Sequence, residues 1–133
     1  MFAKEIEAKV ALAPVVATDN TVLTGNTIDN ETAAKTTFIV QTGTLADADA
    51  TFPTKLQHGD LSDASDMADC AAADVDGGLT DLNFTFTNDN ATKKLTYIGM
   101  KKYSRAVISP TVNTGNAPIA ILAILSGQKK QPV

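Results

Sequence analysis

The sequence predicts a mainly β protein: a single-domain antiparallel β-sandwich or jelly-roll-like barrel with at most one short helix. Three observations lead there. Thr, Val and Ile fall in alternating runs, and β-branched side chains suit a pleated surface because they are stiff at χ1. Turn signals built from Asn, Asp, Gly and Pro recur about every 8–15 residues, the rhythm of a sandwich or barrel. The chain has 133 residues, of which 44% are hydrophobic and only 5% aromatic, with no Trp. That length fits one domain with one core, built from Ala, Val, Ile and Leu with a few Phe.

The elements follow in order. Phe2 to Ala17 carries Ile6, Val10, Leu12, Val15 and Val16. Ile6 and Val10 are spaced for a short helix and the later residues for a strand. Pro14 limits a strand here to an edge, or to an N-terminal arm over residues 1–17. Thr18-Asp19-Asn20 is a turn. Thr21 to Thr24 is a short strand stopped by Gly25-Asn26, and Ile28-Asp29-Asn30 leads into another turn. Lys35 to Thr42 is the clearest strand of the first half, with Phe38 and Val40 on one face and Thr37 and Ile39 on the other. An Ala/Asp loop precedes Thr51 to Gln57, a strand that puts Phe52, Thr54 and Leu56 on one face and Pro53 at an edge. His58-Gly59-Asp60 is a turn.

Leu61 to Val75 is the one stretch with helical spacing, through Met67, Ala68, Ala71, Ala72 and Val75, with Ser62 or Asp63 as N-cap. Its Asp content is costly beyond the first helical turn, so an acidic loop with one helical turn is the competing expectation. Asp76-Gly77-Gly78 ends it either way. Leu82, Phe84 and Phe86 alternate with polar residues as a strand. Lys94 to Ile98 and Lys102 to Ser109 are strands that meet at Gly99 as a hairpin. Pro110 closes the second. Ala117 to Leu125 reads as a buried strand, and residues 128–133 as a mobile tail.

Catalytic chemistry is hard to place. His58 is the only histidine and Cys70 the only cysteine. His58 lies in a turn context and reads as an exposed loop residue, and Cys70 as a small apolar filler. A Cys-His pair has no support from the sequence, and one of each is too few for a structural zinc site. Nucleophile-elbow and phosphate-loop motifs are absent. Asp74-Val75-Asp76-Gly77 holds part of a calcium-loop pattern but lacks its later ligands. No catalytic, cofactor-binding or metal-ligating residues are assigned, no cofactor is expected, and the expectation is a protein that is not an enzyme.

Charge is unevenly spread. Nine acids and one base fall between Asp47 and Asp81, and seven bases with no acid follow from Lys93 onward. Such asymmetry fits an acidic face of one subunit meeting a basic face of another. The bases are too few on an acidic chain to imply direct nucleic-acid binding. The opening residues are charged and lack the apolar core of a signal peptide, and the apolar run at 117–125 is too short to cross a bilayer as a helix. No membrane partner is expected. The segment around Tyr97, Lys101, Lys102, Tyr103 and Arg105 is the candidate interface, because Tyr and Arg are enriched where partners dock.

The chain resembles a loose family of small tailed-phage virion proteins of the head decoration, or capsid cement, type. The resemblance rests on Ile28-Asp29, the strand Thr37-Phe38-Ile39-Val40 with Gly43, then Ala48-Asp49-Ala50-Thr51-Phe52 and Lys55-Leu56-Gln57. An Asp/Ala-rich middle follows, then Tyr97-Ile98-Gly99-Met100-Lys101-Lys102-Tyr103-Ser104-Arg105. It implies a β-sandwich-like subunit, a dimer or trimer, bound to the major capsid protein on the exterior of the head and assembled in the host cytoplasm. The alternatives are another virion component (tail, neck or head completion) or a calcium- or carbohydrate-binding β-sandwich module.

Overall fold

The computed structural model of the chain describes residues 6–30 and 33–128. Its strands are β1 (Ile6–Ala17), β2 (Leu23–Thr24), β3 (Ile28–Asp29), β4 (Ala33–Thr42), β5 (Thr51–Phe52), β6 (Thr54–Gly59), β7 (Ala68–Asp69), β8 (Val75–Asp76), β9 (Phe84–Thr85), β10 (Thr92–Tyr97), β11 (Tyr103–Ile108) and β12 (Ala117–Gln128). One sheet runs β1-β12-β4-β10-β8. A second runs β2-β11-β6-β7, with β3 also on β11, and β5 pairs β9 separately. All pairings are antiparallel. The fold is the antiparallel β-sandwich that the alternating β-branched runs predict.

Period-two patterning decides which side chains meet between the sheets. Thr36, Phe38, Val40 and Thr42 of β4 point inward, beside Ile119, Ile121, Ala123 and Leu125 of β12 and Leu95 and Tyr97 of β10. Leu56 of β6 and Ser104, Ala106 and Ile108 of β11 face them from the second sheet. Burying each of the larger apolar groups contributes about 1.5–3 kcal/mol. Asn30, expected only as a turn residue, is buried and bolts the sheets together. Its Oδ1 accepts from Thr36 Oγ1 of β4 and Ser104 Oγ of β11, each at 2.8 Å. Phe52 and Phe84 stack with ring centroids 4.7 Å apart.

Both long sides of the sandwich are joined. On one, Gly25 donates its N–H to Ala106 O of β11 at 2.8 Å and Asn26 donates to Ala11 O of β1 at 2.6 Å. A Cβ on Gly25 would lie 2.6 Å from Ala11 O, so only glycine lets three backbones approach this closely. On the other side, His58 of β6 meets Tyr97 of β10 through a side-chain contact of 2.9 Å.

Several expectations are corrected. Residues 6–17 are the edge strand of the chain's own first sheet, paired with β12 through register shifts between Val10 and Leu12 and, across Pro14, between Leu12 and Val15, and not an arm. Residues 1–5 of the expected arm, and 129–133 of the expected tail, lie outside the described residues. The stretch from Leu61 to Val75 is the acidic loop, with β7 and one short 3-10 turn at Ala72–Asp74. Its aspartates accept from nearby backbone N–H groups, Asp63 from Ser65 and Asp66 from Asp60 and Leu61. That competes directly with helical bonding. The expected hairpin at Gly99 does not form: β10 pairs β4 while β11 pairs β6, so residues 98–102 cross between sheets. Strand order is set by long-range burial, which adjacency in sequence does not report. Leu82 and Phe84 are buried, but the chain turns at Phe86–Asn88, where Asn88 Oδ1 caps Thr85 N–H. His58-Gly59 continues β6 instead of turning.

Candidate functional site

The residues expected to form one interface patch are distributed over three environments. Tyr97 is only 1% exposed and belongs to the core, because it lies opposite Thr36 and Val75 on the inward face of β10. Its hydroxyl accepts from Lys101 N at 3.0 Å and pairs with His58 Nδ1 at 2.9 Å. Gly99 makes room for this ring: a Cβ there would fall 2.5 Å from the phenol oxygen. Lys101 is exposed, with Nζ 3.3 Å from Asp60 Oδ2, and Lys102 N donates to Asp60 Oδ1 at 3.2 Å. These contacts hold the Asp60 carboxyl below its ordinary range, the Lys102 N–H foremost. The acidic loop therefore partly neutralises the basic segment within one chain, where the sequence suggested separate charged faces.

Tyr103 and Arg105 do share the outer face of the second sheet, half-buried. Arg105 Nε donates to Gln57 Oε1 at 2.9 Å, Gln57 Nε2 to Asp69 Oδ1 at 2.9 Å, and Lys55 Nζ sits 3.0 Å from Asp69 Oδ1. This face is a polar lattice closed on itself.

The outer face of the first sheet is different. Cross-strand register places Ile6, Ala8 and Val10 of β1 beside Ser126, Ile124 and Leu122 of β12, and Val16 beside Pro118. Ile39 of β4 lies opposite Leu122 on the same face. Ile6, Val10 and Val16 are 51%, 52% and 51% exposed and Leu122 40%. Two neighbouring grooves share Pro14, Gln41 and Ala120, one reaching Val16 and Pro118 and the other Val10, Ile39 and Leu122. Lys35 and Lys94 stand on this face, opposite Ser126 and Ile39. Exposed aliphatic groups are thereby gathered on one face, with Lys35 and Lys94 among them. Sequence reasoning missed it because β12 is apolar on both faces and read as wholly buried. The usable signal was Ile6-Glu7-Ala8-Lys9-Val10, an alternation that puts aliphatic groups together on an edge strand.

His58 and Cys70 were expected to be unrelated, and the structure brings them together. His58 points inward because it opposes Ser104. Cys70 follows β7, anchored by its N–H to Leu56 O at 3.0 Å, and Asp74 precedes β8. One side-chain donor atom from each of His58, Cys70 and Asp74 lies within 4.8 Å of the others. His58 Nε2 is 3.8 Å from Asp74 Oδ2, which accepts Ala71 N–H at 2.8 Å. Burial, then the charges of Asp74 and Asp69, push the Cys70 thiol up to about 12. That is the reverse of an activated thiolate, so the trio is poorly suited to nucleophilic catalysis.

Comparison with protein-family models and with curated proteins finds no match to this sequence. Fold and surface together define a single-domain antiparallel β-sandwich with one polar, internally bonded outer face and one aliphatic outer face.

Proposed function

We propose that the chain is a tailed-phage head decoration protein, binding the outer surface of the major capsid protein lattice and stabilising the head without catalysis. The observation that carries this reading is the exposed aliphatic face of β1 and β12. Leaving such groups in water is unfavourable by roughly 25 cal/mol per Å² that a partner could cover. Lys35 and Lys94 beside it favour a partner surface of aliphatic groups rimmed by carboxylates. The rigid sandwich presents this surface preformed, which limits the entropy lost on docking. Copies of the chain associate as a dimer or trimer, and main-chain pairing on β1 is open only away from Val10 and Ala11, whose carbonyls accept from Asn26.

Stabilisation follows from mass action: a subunit that binds only the expanded lattice lowers that state's free energy by its binding free energy. Repetition over the shell makes weak individual contacts effective together. The test mixes purified protein with undecorated expanded heads and with unexpanded precursors, then sediments both. Saturable binding to expanded heads at a fixed ratio to the capsid protein is expected. Absence of binding across a salt series overturns the proposal, and a copy number far below that of the capsid protein assigns the chain to the neck or tail.

A further inference from the structure

We propose that His58 Nε2, Cys70 Sγ and Asp74 Oδ2 form a binding site for one zinc ion that clamps the side of the sandwich where His58 of β6 meets Tyr97 of β10. The ligand chemistry matches: thiolate, imidazole and carboxylate are the three protein donors zinc takes, with a water completing a tetrahedron. Bonds of about 2.0–2.3 Å place tetrahedral donors roughly 3.3–3.8 Å apart. His58 Nε2 and Asp74 Oδ2 already stand at 3.8 Å, and one donor atom from each of His58, Cys70 and Asp74 falls within 4.8 Å of the others. Closing the set needs side-chain movements of roughly 1 Å, on the scale of the bond lengths involved.

The surroundings support the same reading. His58 Nδ1 is 2.9 Å from Tyr97 Oη, which leaves Nε2 toward Asp74, 3.8 Å from Oδ2. A metal-binding histidine characteristically has such a partner on its other nitrogen, fixing ring and tautomer. Tyr97 in turn is held by the Lys101 N–H. His58 is the penultimate residue of β6, Cys70 follows β7 and Asp74 leads into β8, so the donors come from both sheets where the chain crosses between them. An ion here would tie β6 and β7 to β8 and β10.

The test uses the full chain, stripped with a chelator and checked for folding by circular dichroism. Addition of Zn²⁺ followed by desalting should leave one zinc per chain and raise the melting temperature. Co²⁺ should give the near-ultraviolet thiolate-to-metal charge-transfer band. Cys70→Ser should abolish that band, and Asp74→Asn should weaken Zn²⁺ binding at least tenfold. Tyr97→Phe should weaken it about 10–100-fold while keeping the band. If either Cys70→Ser or Asp74→Asn does not fold, the wild-type Co²⁺ spectrum decides alone. Folded wild-type chain that retains no zinc and shows no thiolate band overturns the proposal, leaving a hydrogen-bonded cluster only.

Discussion

Replacing Gly25 with alanine tests whether the sandwich is sealed along its β1 side. The new Cβ would lie 2.6 Å from Ala11 O and 2.8 Å from Ala106 O, both backbone atoms. Comfortable carbon–oxygen contacts begin at about 3.3 Å, so one of the three backbones must move by roughly 0.5 Å or more. Overpacking of this kind costs about 1–3 kcal/mol. The movement also strains two backbone hydrogen bonds, Gly25 N–H to Ala106 O and Asn26 N–H to Ala11 O. Each contributes about 0.5–1.5 kcal/mol net. Together these place Gly25→Ala at about 2–6 kcal/mol of destabilisation, read from urea unfolding midpoints at unchanged slope. Gly115→Ala is the control, since its Cβ would meet Ala46 Cβ at 3.2 Å and its backbone bridges no sheets. It should cost less than about 1 kcal/mol. A Gly25→Ala variant within about 0.5 kcal/mol of wild type would refute the sealed side.

Other substitutions probe separate parts of the account. Tyr97→Phe removes the hydroxyl shared by His58 and Lys101 and should destabilise the metal-free chain by about 1–3 kcal/mol, read by the same unfolding assay. Leu122→Lys and Val10→Lys should change stability by less than about 1 kcal/mol, because both positions are already exposed. Sedimentation with expanded heads should nevertheless show at least a tenfold loss of binding, since docking would bury the new charge. Asp47 is held below its ordinary 3.8, first by the Thr114 N–H, and Asp60 likewise by the Lys102 N–H. A depressed carboxyl stabilises the fold above its unfolded value, so stability should fall as pH drops through about 4 and below. Asp47→Asn should flatten that part of a urea-midpoint-against-pH curve. Val112 is exposed with φ of 55°, a left-handed conformation that β-branched residues avoid. Val112→Asn should raise stability by about 1 kcal/mol in thermal melts.

Period and turn chemistry made the strands legible: Phe38 with Val40, Phe52 with Leu56, and Ser104 with Ala106 and Ile108 all face inward as alternation requires. Pairing was not legible. Residues 94–98 and 102–109 look like a hairpin, yet their partners are 59 and 48 residues away in sequence for Thr96–Thr37 and Arg105–Gln57. Nothing in a local window encodes which sheet a strand joins. The same limit hid the His58–Cys70–Asp74 trio: the donors lie on separate elements, and a count of Cys and His alone omits the carboxylate. Tyr97 was misassigned because tyrosine beside lysines resembles a docking patch, whereas register with Val75 and Thr36 turns it inward. Asn30 was taken for a turn residue because its role, joining Thr36 to Ser104, exists only once both sheets are in place.

The docking face can be tested directly by hydrogen exchange of the chain free and bound to expanded heads. The account predicts new protection along β1 and β12, centred on Val10, Ala120 and Leu122, with the Arg105–Gln57–Asp69 face of the second sheet unchanged. Protection confined to that second face, or none on either, would contradict it.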